Sequence, residues 1–251
     1  MSKTYLIVFI IAVILGGVFF AVSQPSATAL LSGEETAASE TTNSSPQTTQ
    51  AAYSPNEDVN SDGSPYLPLT EKVVGSADAP ITMHEFSSLS CGHCGAFHKD
   101  KYPELTKEYI DTGKLRIILI DFPTNLPALE GAMLGHCMPE DGYFEFTHEL
   151  FSTQESWLTN DYKEKLIQAA IRGGLTRDEA QACLNDEQLK EAIIARTEES
   201  SEQLGINSTP SFIINNGAAT IVGNKPYPEF KAALDAQLEK VDTSSDEGTE
   251  S

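Results

Sequence analysis

The chain has 251 residues, enough for one large domain or two small ones, and it carries a formal net charge of −21 at pH 7. A charge this negative disfavours nucleic acid as a partner, because nucleic-acid binding depends on cations that displace counterions. It also disfavours electrostatic adhesion to anionic lipid, so any membrane attachment should come from an inserted segment.

Such a segment is predicted at residues 5–22, an uncharged apolar run that follows Lys3. The pattern is typical of an export signal whose short N-terminal end stays inside the cell. The length of the run favours an anchor, whereas the small residues at 27–29 favour cleavage. We therefore expect residues 1–29 to be a signal peptide or a membrane anchor. The rest of the chain is then periplasmic or extracytoplasmic, soluble after cleavage or anchored in the inner membrane.

Two segments have the composition of disordered chain. Residues 30–65 are rich in Ser, Thr, Ala, Glu, Asn and Pro and have no apolar periodicity, which predicts a disordered linker. Residues 241–251 are predicted to be an acidic disordered tail. Residues 66–240 remain as one folded domain.

The folded segment opens with a strand, a helix and a second strand. Apolar periodicity predicts a strand at residues 81–86, a helix from the first motif cysteine to about residue 111, and a strand at 115–122. The second strand is apolar on both faces, as expected for an interior strand of a parallel pair. The sequence therefore predicts a βαβ unit of an α/β fold.

A helical stretch follows at about residues 125–204, with breaks that predict four or five helices. Two short apolar segments then flank Asn216-Gly217, which indicates a hairpin. Pro226 opens a last amphipathic helix that is expected to end near Lys240.

The motif Cys91-Gly92-His93-Cys94 holds two of the four cysteines and lies where the first strand gives way to a helix. At a helix N-terminus the first sulfur is close to unpaired N–H groups, which stabilise its thiolate. A stabilised thiolate is a good nucleophile and a good leaving group, as thiol-disulfide exchange requires. An imidazolium at His93 would stabilise the reduced form further.

Two other interpretations of the motif are half of a zinc site and a static structural disulfide. Zinc needs four ligands, but the sequence has no second CxxC, and the spare candidates His98 and Cys137 are far apart in sequence. We therefore predict no metal and no cofactor. The histidines outside the motif show no metal-ligand spacing and are expected to be surface or packing residues: His84, His98, His136 and His148.

Residues 73–105, VVGSADAPITMHEFSSLSCGHCGAFHKDKYPEL, resemble the N-terminal half of the DsbA family of bacterial thiol-disulfide oxidoreductases. The segments FPTNLPALEGAMLGHC at 122–137 and TPSFIIN at 209–215 follow in the family order. The resemblance covers about residues 66–240. It implies a thioredoxin fold with an inserted helical domain.

By position, the resemblance implies that Cys91 forms the mixed disulfide with substrate and that Cys94 resolves it. Gly92 and His93 then tune the reduction potential. The same CGHC motif occurs in eukaryotic disulfide isomerases, so the motif alone does not fix the direction of electron flow.

Two further family positions complete the implied site. Thr209-Pro210 matches a cis-proline that faces the cysteines and binds extended substrate, the alternative being a trans proline that merely starts a strand. Glu85 matches a buried acid that relays the proton of Cys94 through water, the alternative being a solvent-facing strand glutamate. Some relatives pair this acid with a lysine on the next strand. Residues 115–122 offer no central lysine, so Glu85 is expected to be under-paired.

Cys137 and Cys183 both fall in the helical insertion. In an oxidising compartment we expect a structural disulfide between them, the alternatives being two buried free thiols or a redox-active regulatory pair.

The expected function is that of a thiol-disulfide oxidase whose Cys91–Cys94 pair introduces disulfides into exported proteins. The expected partners are unfolded or reduced exported proteins and a membrane redox partner that reoxidises the pair. The alternatives are a disulfide isomerase or reductase, and a membrane-tethered chaperone module that binds clients.

Overall fold

The computed structural model describes residues 69–139 and 142–246. The predicted signal or anchor and the predicted linker lie outside the described residues. Within the two described ranges, no helix is both long enough and apolar enough to cross a membrane.

The core of the fold is a five-stranded mixed sheet with the strand order β1-β3-β2-β4-β5. Its strands are β1 (Lys72–Val74), β2 (Ile81–Ser87), β3 (Leu115–Asp121), β4 (Ser211–Ile214) and β5 (Ala219–Val222). Strands β2 and β3 are parallel, as the βαβ pattern predicts, and the other pairs are antiparallel. The strand β1 was not predicted, because three residues are too few to show a periodicity.

The two faces of β2 serve different purposes. Because side chains alternate along a strand, Met83, Glu85 and Ser87 share one face, and Phe86 lies on the other. The face of Met83 is packed against Phe97 of the helix α1 (Gly92–Asp100). Glu85 is therefore directed beneath the helix that carries the motif.

The helix after the motif is shorter than predicted. α1 ends at Asp100, and the chain continues as α2 (Tyr102–Leu105) and a π-helical segment (Thr106–Ile110). Pro103 explains the break, since proline has no N–H to donate and its ring clashes with the carbonyl four residues earlier.

In the described part of the insertion between β3 and β4 there are six helices, and the expectation of four or five was too low. The difference comes from a single turn at residues 154–157, too short to produce a period of its own. The helices are α3 (Leu126–His136), α4 (Tyr143–Ser152), α5 (Gln154–Trp157), α6 (Tyr162–Arg172), α7 (Arg177–Leu184) and α8 (Glu187–Leu204).

The chain closes with β4, a 3₁₀ turn (Asn215–Gly217), β5 and the helix α9 (Tyr227–Asp246). The turn and the hairpin agree with the sequence pattern. α9 continues six residues into the segment predicted as a disordered tail from residue 241, so that boundary was too early. Residues 241–246 contain no Gly or Pro to end a helix.

Candidate active site

Cys91 is the N-cap residue of α1. Its N–H donates to the Ser88 carbonyl at 2.9 Å, and its own carbonyl accepts the N–H of Gly95 at 3.0 Å. These bonds fix the turn that leads into the helix. The Cys91 sulfur is therefore held where the helix has free N–H groups and its positive dipole end.

The two motif cysteines are free thiols in different surroundings. Cys91 is partly exposed, whereas Cys94 is completely buried. A hydrogen bond with the Cys94 side chain, followed by one with the Thr209 side chain, lowers the pKa of Cys91 to about 5. Burial, followed by the hydrogen bond with Cys91, raises the pKa of Cys94 far above its ordinary value. The outer sulfur therefore holds the negative charge, and the inner one holds the proton.

The two residues between the cysteines are exposed. A side chain at Gly92 would meet no atom within 4 Å, so the space around this position is open. His93 is also exposed, next to the N–H groups at the start of α1. Both positions therefore lie on the exposed surface beside Cys91.

Thr209 and Pro210 lie opposite the motif, although 118 residues separate Thr209 from Cys91. The peptide bond between Thr209 and Pro210 is cis. The Cys91 sulfur lies 3.3 Å from the Thr209 carbonyl oxygen, to which it donates a hydrogen bond when it is protonated. The carbonyl of Pro210 accepts the N–H of Gly223 at 2.8 Å, which ties the loop to the end of β5.

Glu85 lies below α1 and is 0% exposed, so the alternative of a solvent-facing glutamate is wrong. The expectation that it is under-paired is also wrong in part. Its Oε1 accepts a hydrogen bond from the Ser87 hydroxyl and lies 2.8 Å from Nε2 of His98. The partner of Glu85 is thus a histidine on the motif helix and not a lysine on the next strand.

His98 was predicted to be a surface or packing residue; it is buried among other side chains, as a packing residue would be, and it is also paired with a carboxylate, which was not predicted. Its ring is stacked on Phe151 with centroids 3.9 Å apart and an interplanar angle of 6°. The ring of Tyr102 is also stacked on the His98 ring, with centroids 5.1 Å apart. The signal that the sequence offered was its spacing, since a residue four positions after Cys94 lies on the same helix face.

A family model described as Thioredoxin matches residues 68–236. The crystal structure of alpha-DsbA1 from Wolbachia pipientis is 32% identical in sequence and matches with a TM-score of 0.65, over 71% of this chain and 95% of that one. The chain belongs to the DsbA family of thiol-disulfide oxidoreductases. The predicted family and fold class are thereby confirmed.

This DsbA-family protein is also similar to a Rickettsia bellii protein provisionally named a protein-disulfide oxidoreductase, with 31% identity over 172 residues. That match covers 68% of this chain and 65% of the relative, so the chain spans slightly less than two thirds of its length. Oxidised BdbD from Bacillus subtilis matches at 21% identity and a TM-score of 0.59, over 67% of this chain and 93% of that one. At 21% identity this structural match is evidence for a shared fold alone.

Gln154 connects the helical insertion of this DsbA-family protein to the motif and was missed from the sequence. Its Nε2 donates to the carbonyls of Leu89 and Cys91 at 2.8 and 2.9 Å. A side chain at Gly95 would overlap Gln154 and lie 3.0 Å from the carbonyl of Phe151. The insertion is therefore seated directly on the first turn of α1.

Cys137 and Cys183 form a disulfide in this DsbA-family protein, with Cα atoms 6.3 Å apart. Cys137 directly follows α3, and Cys183 lies in α7. The bond therefore joins two helices of the insertion.

The other histidines do not form a metal site. In the part of the chain that the structure describes, no group of three or more His, Cys, Asp or Glu residues is placed to hold a metal ion. His136 Nε2 lies 3.1 Å from Oδ2 of Asp121, which also accepts a hydrogen bond from the hydroxyl of Tyr143 at 3.0 Å. This trio links the end of β3 to the insertion of the DsbA-family protein.

Proposed function

We propose that this DsbA-family protein is a protein dithiol-disulfide oxidoreductase that oxidises the thiols of exported proteins with its Cys91–Cys94 disulfide. The observation that carries the proposal is the opposite environment of the two sulfurs. A partly exposed sulfur whose pKa is lowered to about 5 is a good leaving group, because its thiolate is stable. A stable thiolate also stabilises the reduced form of the protein, which favours oxidation of the substrate thiols and reduction of the Cys91–Cys94 disulfide.

In the proposed reaction a substrate thiolate attacks the Cys91 sulfur of the oxidised protein. A substrate–Cys91 disulfide forms, the bond to Cys94 breaks, and Cys94 receives the electron pair and a proton. A second substrate thiolate then attacks the sulfur of the first substrate cysteine. Cys91 leaves as a thiolate, so the substrate gains a disulfide and the protein holds two reduced cysteines.

The other site residues have supporting roles in the proposal. Gly92 leaves room for the substrate, and His93 stabilises the Cys91 thiolate. Thr209 and Pro210 hold the substrate segment beside Cys91, since the Thr209 carbonyl lies 3.3 Å from that sulfur. Glu85 serves the proton transfer at Cys94, and the Cys137–Cys183 disulfide stabilises the insertion.

The reduction potential of the Cys91–Cys94 pair tests the direction of electron flow. Equilibration with a glutathione buffer should give a value well above the thioredoxin range, which is about −270 mV. A reducing value would favour the isomerase or reductase instead. In a Cys94→Ala variant the Cys91 thiolate should attack a disulfide-bonded substrate, release one substrate thiolate and accumulate the mixed disulfide, because no Cys94 is present to resolve it. A Cys91→Ala variant should form none, and client protection retained by that variant would indicate a chaperone.

We also propose a location and a partner. Residues 1–29 direct the domain out of the cytoplasm, residues 30–65 serve as a linker, and a membrane redox partner reoxidises the cysteines. Fusion of residues 1–65 to a reporter that is active only after export tests the first point. A reporter that stays inactive would contradict it. Trapping with Cys94→Ala in intact cells tests the second, because the reoxidising partner should be caught through Cys91.

A further inference from the structure

Glu85 and His98, which are paired with each other, each have one side-chain polar atom without a hydrogen-bond partner in the described part of the chain. Glu85 is 0% and His98 is 5% exposed. Among the described residues, Oε2 of Glu85 and Nδ1 of His98 are both buried without a hydrogen-bond partner. Each such atom is destabilising, because it has lost its hydration and gained no hydrogen bond in return. A structural ion pair gains nothing from two unsatisfied atoms, whereas a group that passes protons needs a free position.

Helix geometry places His98 on the side of α1 that carries the buried sulfur. His98 follows Cys94 by four residues on α1, and side chains at this spacing share a helix face, with Cβ atoms about 5–6 Å apart. Long side chains of a helix lean toward its N-terminus, which brings the imidazole over the turn of Cys94. The same face covers β2, where Glu85 is directed upward between Met83 and Ser87.

A second histidine, which is exposed, lies beside His98. The titratable groups that face His98 are Glu85 on β2, Tyr102 on α2 and His148 on α4, with Cys94 one turn earlier on its own helix. His148 is exposed, and its ring centroid lies 6.4 Å from that of His98. Phe151 and Tyr102 cover the imidazole of His98, so His148 marks the side on which a proton reaches bulk water.

We propose that His98 is the proton-relay residue of the exchange reaction, acting between Cys94 and solvent while Glu85 orients its ring. The proposal rests on the proposed function of the cysteine pair. When a substrate thiolate breaks the bond between Cys91 and Cys94, the electron pair goes to the Cys94 sulfur. Protonated His98 supplies the proton directly or through one water, becomes neutral and is reprotonated from solvent. During reoxidation neutral His98 accepts the proton of Cys94, and the sulfur then attacks the mixed disulfide at Cys91.

The test compares wild type with His98→Gln, which keeps a hydrogen-bond donor for Glu85 but does not titrate. The rate at which a small thiol reduces the oxidised protein is measured by acid quenching across a range of pH. We expect His98→Gln to lower this rate roughly 100-fold near neutral pH, at the lower end of the range for acid–base catalysis, and to remove one ionisation from the profile. Tyr102→Phe, which keeps the ring beside His98 and removes a neighbouring titratable group, should keep the wild-type profile.

A wild-type rate and profile in His98→Gln would overturn the relay. The relay would also be overturned if Tyr102→Phe lost the same ionisation, because that ionisation could then not be assigned to His98. If His98→Gln does not fold, the rate of wild type in heavy water decides, since the relay requires slower exchange there and an unchanged rate contradicts it. Absence of any exchange by wild type would instead refute the proposed function.

Discussion

Cys91 and Cys94 are only three positions apart, yet the protein holds their sulfurs in different ionisation states. The difference has two main causes, the hydrogen bonds that the Cys94 side chain and the N–H groups at the start of α1 donate to Cys91, and the burial of the second sulfur. Both were partly visible in the sequence, because the motif follows a strand and opens a helix. The contribution of Thr209 was accessible only through the family resemblance, since no local pattern links positions so distant in sequence.

In the reduced protein we expect Cys91 to titrate with a pKa of about 5 instead of its usual 9.0. Between these values the folded state binds fewer protons than the unfolded state. The stability of the reduced protein therefore rises with pH across this window and is lost as pH falls through about 5. Thiolate absorbance and unfolding at several pH values check this, with Cys91→Ser as the control. A midpoint near 9.0 would contradict the assignment.

Replacement of His93 by Ala is expected to lower the reduction potential of the cysteine pair. An imidazolium at this exposed position stabilises the thiolate of the reduced form, and its removal therefore favours the disulfide. Equilibration with glutathione gives the potential. Lys99→Ala, which removes a cation at the other end of α1, is the control and should change the potential less. Equal potentials for wild type and His93→Ala would rule out this role.

His98 illustrates what single-residue reasoning from the sequence missed. Its type and spacing did not distinguish a packing histidine from a partner of Glu85. The pairing depends on how α1 is rotated against β2, and that rotation is set by tertiary packing of residues such as Phe97. The four-residue spacing from Cys94 was the one local signal.

Between elements, the decisive contact is the one that joins α1 to α4 and α5. Gly95 has no side chain, and the space is filled by Gln154, whose amide binds the carbonyls of Leu89 and Cys91. Strong apolar periodicity made β2, β3 and most of the insertion predictable. The one-turn helix α5 has no period of its own, so Gln154 could not be placed from the sequence.

Gly95→Ala should destabilise the protein by about 1–3 kcal/mol, the usual cost of overpacking, despite the better helix propensity of alanine. The added carbon would overlap Gln154 and lie 3.0 Å from the Phe151 carbonyl. Denaturant unfolding measures the effect, and Gly92→Ala on the same helix is the matched control because its added carbon meets nothing. In a Gly95→Ala/Gln154→Ala double variant, part of the loss should be recovered. If Gly95→Ala is as stable as wild type, then α1 and α5 can move apart at little cost in free energy.

For the molecule as a whole, the Cys137–Cys183 disulfide spans 46 positions within the insertion. Replacing both cysteines with Ser should lower the free energy of unfolding by about 2–4 kcal/mol, because the unfolded chain loses a constraint. Denaturant unfolding measures this, and thiol exchange at Cys91 should persist. Loss of exchange with unchanged stability would point to a redox role for this second pair.

The placement of the insertion also sets the order in which the reactive centre is assembled. Strands β2 and β3 and the motif precede the helices of the insertion, whereas Thr209 and β4 follow them, and β4 pairs with β2. A chain that emerges N-terminus first thus exposes a dithiol well before the segment that lies opposite Cys91. Full reactivity should therefore arise only late in folding, once Thr209 and β4 are in place.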